Sequence, residues 1–278
     1  MARRSAQQPQ DDDGRQYHIG LAPGEVAPHV MLVGDPGRVA LAEALLDDVS
    51  VRRQSREYVS VTGRRGELDV TVLGTGIGCD NTEIAVLELL ACRRDLSFLR
   101  VGSCGSLRAD VPIGDLVITT GAHRLESTSL GFVDAGFPAV AHHEVVLALV
   151  TAARRAEAAH HLGVTATASG FYGWQGRTDA PVPSLHPDLP ERLASMGVTN
   201  FEMEASTLLT LASRAQCRAG VVCTVFANRP ADEFIGTGPE KKAAEARAVE
   251  VGLDALTILT RMDARAGGQP FALDEGWL

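Results

Sequence analysis

Four glycine-marked segments carry most of the residues that could do chemistry, each where an apolar run ends. The first is Gly34-Asp35-Pro36-Gly37-Arg38. Backbone N–H groups at such a turn, opening into a helix, can hold an oxyanion, and Arg38 adds charge. A sharp turn with a solvated arginine is the plainer alternative. The third is Arg100-Val101-Gly102-Ser103-Cys104-Gly105. It offers a guanidinium fork, a hydroxyl and free N–H groups together, all suited to a phosphate. Its alternative is a buried strand end from which Arg100 reaches water.

The second segment, Gly74-Thr75-Gly76-Ile77-Gly78, has the spacing GxGxG rather than GxGxxG. No acidic residue closes a second strand about 20 residues on, so it does not read as a dinucleotide fingerprint. Its glycines instead let backbone and ligand approach closely. The fourth, Gly170-Phe171-Tyr172-Gly173-Trp174-Gln175-Gly176-Arg177, suits a planar polar ligand. An aromatic face stacks on a base, Gln175 both donates and accepts, and Arg177 only donates. A uracil ring, with carbonyl acceptors flanking an N–H, matches that pair. An aromatic loop packed on the core, with Gln175 and Arg177 solvated, is the alternative.

Glu202-Met203-Glu204 precedes an apolar helical stripe. Acidic residues there complement the positive helix end, and Glu204 could also accept hydrogen bonds from both hydroxyls of a sugar diol. The eight histidines show no metal-ligand spacing. The pairs His142-His143 and His160-His161 read as surface or helix-end residues, with neighbours on a helix facing different ways. No GxSxG elbow is present, which argues against a serine hydrolase.

These segments need strands to carry them and helices to back them. Apolar, β-branched runs predict strands at 29–34, 58–62, 68–73, 98–102, 116–120, 164–169 and 221–226. Helical periodicity predicts helices at 38–46, 81–94, 144–161, 189–196, 203–215 and 240–264. Their alternation argues for an α/β sheet with helices on its faces. The close succession of 58–62 and 68–73 suggests an antiparallel hairpin, and so a mixed sheet. The proline-rich stretch 178–190 reads as a surface loop behind a site segment.

The net charge of −9 speaks against nucleic acid or an anionic membrane as a partner. An anionic substrate must then be held by a local cluster of arginines. Five cysteines, Cys79, Cys92, Cys104, Cys217 and Cys223, form no CxxC pair and are odd in number. They read as buried, reduced thiols of a cytoplasmic protein. The opening MARRS leads into QQPQDDDGRQ rather than an apolar stretch, so no signal peptide is expected, nor a membrane span. The expected organisation is a disordered leader at 1–16, one domain at 17–265 and a loosely held tail at 266–278.

Taken together, the segments resemble the nucleoside phosphorylase family, and within it the members that cleave uridine. The resemblance covers 17–264. It rests on Tyr17-His18-Ile19-Gly20-Leu21, Gly34-Asp35-Pro36-Gly37-Arg38, Ser55-Arg56-Glu57-Tyr58, Leu99-Arg100-Val101-Gly102 and Asn200-Phe201-Glu202-Met203-Glu204. Its most specific part is Gly170-Phe171-Tyr172 with Gln175 and Arg177. The fold it implies is a single α/β domain, with a mixed, partly closed central sheet flanked by helices. The reaction it implies is phosphorolysis of uridine, with deoxyuridine and thymidine as further candidates.

The resemblance also implies roles. Gly34, Arg38, Arg100 and Ser103 would bind phosphate, joined by Arg56 from a neighbouring subunit. Met203 and Glu204 would hold the ribose, and His18 from the neighbour would meet its 5′-hydroxyl. Phe171, Gln175 and Arg177 would hold the base, with Glu202 and Phe226 beside it, and Arg229 would order the base-site loop. Arg177, Gln175 and Arg100 would be the catalytic set. Purine-cleaving relatives carry an aspartate near Asn228 and Arg229, which this chain lacks.

Three departures stand out. Ser103 replaces a frequent threonine but keeps its hydroxyl. Trp174 and Phe226 are bulky for such a pocket. Asn81 replaces the serine that some relatives place near a monovalent cation, which argues against potassium at Glu57, Ile77 and Asn81. No cofactor is implied, inorganic phosphate being a substrate. The partners implied are a nucleoside, phosphate and further copies of the chain, at least a dimer and by resemblance a hexamer of three dimers. The rival readings are a purine nucleoside phosphorylase, a nucleosidase using water, and a non-catalytic nucleoside-binding protein on the same fold.

Overall fold

Every residue of the strand β1 (His29–Val33) is buried, and it pairs in parallel with β4 (Leu68–Gly74) on one side and β5 (Ser97–Ser106) on the other. An unbroken apolar run of this kind belongs at the centre of a sheet covered on both faces. The computed structural model describes residue 7 and residues 9–271. Beyond β4 the sheet continues antiparallel through β3 (Tyr58–Arg65) to the edge strand β2 (Asp48–Ser55). On the other side β5 pairs with both β9 (Val198–Glu202) and β10 (Arg218–Asn228). From β9 the pairing runs through β8 (His160–Ala168) and β6 (Leu116–Leu125) back to β10. Five strands thus close into a ring on β5, and the sheet is mixed and partly closed. The short strands β7 (Ala139–Val140) and β11 (Glu233–Phe234) extend β6 and β10.

Among the described residues, six helices cover the sheet: α1 (Gly37–Glu43), α2 (Cys79–Cys92), α3 (His143–Arg155), α4 (Leu189–Ser195), α5 (Ala205–Arg214) and α6 (Pro239–Ala266). One face packs Met31, Val101 and Val222 against α3 and α6. The other packs Leu32, Phe98 and Val221 against α2 and α5. Each large aliphatic side chain fully buried there contributes about 1.5–3 kcal/mol. Among the described residues, no helix is long and apolar enough to cross a membrane. All five cysteines are free.

Each strand expected from the sequence is present, and two substantial ones were not expected. β2, with the sequence DVSVRRQS, alternates exposed and partly buried residues, but no residue of it is fully buried and past Val51 the covered face turns polar, so the apolar alternation is too short to stand out. β9 is buried but holds Thr199 and Asn200, whose side chains would suggest a loop. Asn200 is accommodated because Thr165 donates to its Oδ1 at 2.9 Å.

The helix expected at 144–161 stops at Arg155. Glu157 takes a positive φ of 52°, and His160 enters β8 opposite Leu116. His160 and His161 are therefore strand residues, and His161 Nε2 lies 2.8 Å from Asp115. His142 is the extended residue preceding α3 and not part of it, so its ring stacks on His143 at 4.6 Å instead of facing away.

Of the leader expected at 1–16, residues 1–6 and 8 lie outside the described residues. Residues 9–16 fold back on themselves. Gln10 bridges to Gln16, and Asp11 accepts from the amides of Asp13 and Arg15 at 2.9 and 2.8 Å, an aspartate turn. Of the tail expected at 266–278, residues 272–278 lie outside the described residues. The Phe271 amide donates to Glu144 at 2.8 Å, and its ring packs on the α3–α6 face.

Candidate active site

A cavity of about 930 Å³ opens where β1, β5 and β10 end and the loops after β4 and β8 meet them. Eleven of the residues singled out for phosphate, ribose or base line it: Gly34, Arg38, Arg100, Ser103, Phe171, Gln175, Arg177, Met203, Glu204, Phe226 and Arg229. Ile77 lines it too.

At one end stand two buried arginines. Arg100 does not reach water; it is 5% exposed and lies over its own strand. The segment 100–105 is consequently strand rather than turn, part of β5. A Cβ on Gly102 would sit 2.8 Å from Arg100 Nη2 and 2.9 Å from Cys223 Sγ, so only glycine leaves room for that guanidinium. Arg100 donates through Nε to Glu202 at 3.1 Å and through Nη2 to Glu204. Burial works against its charge, but Glu204 and Glu202 outweigh that and hold it above its ordinary range. Arg38 is equally buried and is gripped by Glu245 of α6, at 3.3 Å from Nε and 3.1 Å from Nη2. Lys241, one turn before Glu245, joins the same carboxylate at 3.2 Å.

Glu202 was expected at the base. It lies instead behind the cavity wall, with a fully buried side chain. Its carboxylate accepts from Arg100, from the Thr167 hydroxyl at 2.6 Å, and from the amides of Glu204 and Ala205 at 2.8 Å each. It caps the start of α5, while Glu204 turns into the cavity and accepts from the Gly78 amide at 2.6 Å. The glycines of the second turn thus face the carboxylate suited to a sugar diol.

At the other end, Gln175 is buried and Arg177 half-buried. Arg177 Nη1 donates to Gln175 Oε1 at 2.8 Å and to the Phe171 carbonyl at 2.6 Å, and its guanidinium lies 3.7 Å from the Phe171 ring centre. Burial, then the charge of Arg229, push Arg177 down to about 10, so it stays protonated at neutral pH. Arg229 donates to the Gln175 carbonyl at 3.1 Å.

Phe226 enters the cavity because β10 bulges there: Val225 pairs with Cys104 and Ala227 with Gly105, leaving Phe226 unpaired. Bulges re-aim side chains in this way beside binding sites. Its ring lies 5.5 Å from both Arg38 and Lys241, so it adjoins the arginine end. Trp174 does not line the cavity; it stacks on His186.

His18 and Arg56 are not brought to this cavity. His18 pairs with Glu88 at 2.6 Å. Arg56 is more than half exposed and lies 5.7 Å from the Tyr17 ring. Glu57 sits beside Arg56 at 3.8 Å, and the Asn81 carbonyl accepts from Tyr58 at 3.1 Å. Among the described residues, no group of three or more His, Cys, Asp or Glu is placed to hold a metal.

Sequence reasoning missed Glu245 and Lys241. Their spacing of four on α6 reads as an exposed pair, and nothing local ties Glu245 to Arg38, 207 residues away.

A family model of the phosphorylase superfamily matches residues 28–261. The chain is 44% identical over 261 residues to a uridine phosphorylase of Thermococcus kodakarensis, covering 93% of this chain and 92% of that protein. It is 39% identical over 251 residues to a uridine phosphorylase of Klebsiella aerogenes, covering 87% and 97%. A solved structure of a Trypanosoma brucei nucleoside phosphorylase, described as showing uridine phosphorylase activity, superposes with a TM-score of 0.84 at 27% identity. It covers 90% of this chain and 99% of that one.

Proposed function

The chain belongs to the phosphorylase superfamily, and we propose that its cavity performs the reversible phosphorolysis of uridine to uracil and ribose 1-phosphate. The enzyme is a pentosyltransferase. The observation that carries the substrate assignment is the Gln175–Arg177 pair at one end of a cavity whose other end holds Arg38 and Arg100.

Phosphate lies against Gly34, Arg38, Arg100 and Ser103. The ribose lies between, its hydroxyls donating to Glu204 with Met203 beneath. Because Arg177 holds Gln175 Oε1, the amide is fixed with its N–H group free to donate to a base carbonyl. Phe171 offers its ring to the base, and Arg229 supports the turn that carries Gln175. As the glycosidic bond loosens, positive charge grows on the ribose and negative charge on the uracil. Arg177 and Gln175 stabilise the departing base, and such preorganised donors contribute about 3–4 kcal/mol each. Phosphate, already fixed below C1′, attacks without the entropic cost of encounter. The C1′–N bond breaks and a C1′–O bond forms, with uracil leaving as the anion and then taking up a proton. The reaction consumes only nucleoside and phosphate.

Arg56 of the partner subunit completes the phosphate site and His18 of the partner subunit meets the 5′-hydroxyl, so the working unit is a dimer or a multiple of it. Support comes from the position of both residues outside their own cavity. The free cysteines suit a reducing compartment, the cytoplasm.

The test is release of free base from uridine and from inosine, each with and without phosphate. Phosphate-dependent release of uracil, with inosine untouched, is the expected result. Release from inosine alone overturns the base assignment, release without phosphate points to a nucleosidase, and binding without turnover to a carrier.

A further inference from the structure

We propose that Trp174, Ser184 and His186 act as positioning residues that clamp the base-reading turn 171–177, so that the proline-rich loop behind it sets the grip on the pyrimidine. The proposal rests on the function assigned above.

The turn is poorly anchored by burial. Phe171, Tyr172 and Trp174 are 47%, 58% and 42% exposed, and only Gln175 and Gly176 are buried. Its own bonds (the Arg177 amide to the Tyr172 carbonyl at 3.1 Å, Arg177 Nη1 to the Phe171 carbonyl) and Arg229 hold it from within and from one side, and residues 184–190 hold it from behind. Ser184 Oγ donates to the Gly173 carbonyl at 2.6 Å, and the Ser184 amide donates to the Arg177 carbonyl at 3.2 Å. These two bonds fix the peptide on either side of Gln175. Trp174 stacks on His186 with ring centres 4.6 Å apart and planes 17° from parallel. The His186 amide donates back to Ser184 Oγ at 2.9 Å, so stack and hydrogen bonds form one unit.

Gly176 shows how closely the loop is seated. Its φ is +65°, and a Cβ there would lie 2.6 Å from Pro190 Cδ and 2.9 Å from the His186 carbonyl. Pro190 and Leu189 are buried at the start of α4, so the loop reaches solid packing there. Beside these anchors Val182 and Leu185 are 81% and 90% exposed. The loop therefore adds the rigidity of α4 to an exposed turn otherwise held by its own bonds and by Arg229. The arginines at the opposite end of the cavity are set by Glu245, Glu202 and Glu204 and share none of these contacts.

The experiment compares His186→Ala, His186→Phe and Ser184→Ala with the parent enzyme in uridine phosphorolysis, alongside hydrogen exchange of the folded chain. Loss of an aromatic pair corresponds to about a fivefold change in an equilibrium. His186→Ala is expected to raise KM for uridine by about that factor while KM for phosphate moves by less than about twofold. His186→Phe, which can still stack, restores it. Exchange at 171–177 quickens in His186→Ala and Ser184→Ala, with β5 and α6 unchanged. Unaltered exchange at 171–177, an unaltered KM for uridine, or equal rises in both KM values would each overturn the clamp. If the parent chain fails to cleave uridine, the proposed reaction falls on that result alone, and the exchange data still decide the clamp.

Discussion

Replacing Glu202 by glutamine separates two roles for one buried carboxylate. Four donors converge on it: Arg100 and the amides of Glu204 and Ala205 at Oε2, and the Thr167 hydroxyl at Oε1. Glutamine can keep an oxygen at the first position only by turning its NH2 group toward Thr167. That hydroxyl oxygen already accepts from the Ser206 amide at 2.9 Å. One hydrogen bond is thus inverted, and the other three lose their charged acceptor. Hydrogen bonds to charged groups contribute roughly 1.5–3 kcal/mol each, and most of the geometry survives, so the stability lost is about 2–4 kcal/mol. Urea unfolding measures it. In turnover, a displaced Arg100 should raise KM for phosphate by about tenfold, ~1.4 kcal/mol, with KM for uridine nearly unchanged. The opposite pattern, uridine weakened and phosphate untouched, would show that Glu202 serves the base after all and refute the hub described here.

Three further outcomes follow from the same geometry. Arg177→Ala should lower kcat by a factor equivalent to about 3–4 kcal/mol, with thermal stability close to the parent's because the side chain is half-exposed; steady-state kinetics beside a melting curve check both. Gly102→Ala forces a methyl group into Arg100 and Cys223, and a misplacement of this kind costs on the order of 100-fold in kcat/KM; activity within a few-fold of the parent would mean that Arg100 has other room. His29 is buried with Nδ1 unpartnered, and burial, then the charge of Arg218, lower it from 6.5 to about 4. The unfolded chain therefore takes up this proton first. Stability is complete above pH 6.5 and falls by about 3 kcal/mol as pH drops toward 4, a slope that His29→Gln should flatten in denaturant titrations.

What the sequence revealed, and what it hid, follows from the range of the forces involved. The strands that carry the site begin as short apolar runs, and their periodicity is local, so β1, β4 and the first half of β5 could be read directly. β2 could not, because at the sheet edge its covered face is only partly buried and turns polar after Val51. Type and spacing left each of Arg38, Arg100, Glu204, Gln175 and Arg177 with a plainer alternative, the resemblance joined them, and all five line one cavity. Those that hold these residues were not. Glu245 meets Arg38 and Ser184 meets Gly173 only through the fold, and the bulge at Phe226 is a matter of strand register. Trp174, which looked bulky for the pocket, has its bulk on His186 outside it.

The charges around the arginine end bear on why a second copy of the chain belongs to the proposed reaction. Arg38, Arg100 and Lys241 face Glu245, Glu202 and Glu204, three cations against three carboxylates. Such pairing fixes the guanidinium groups before substrate arrives, which suits a preorganised site, but it leaves no surplus charge to attract an anion. A phosphate entering there must be met by a further cation. Among the described residues, Arg56 has only the exposed Glu57 as an ion-pair neighbour, at 3.8 Å, and an exposed pair of that kind contributes little. It can therefore be drawn toward an anion in the neighbouring cavity at small cost. Arg56→Ala should then raise KM for phosphate while leaving the fold of each subunit intact. Mixing it with an Arg38→Ala variant should restore activity in hybrid dimers, where one cavity keeps Arg38 and receives Arg56 of the partner subunit. Absence of that complementation, with hybrids shown to form, would place Arg56 in its own subunit's site.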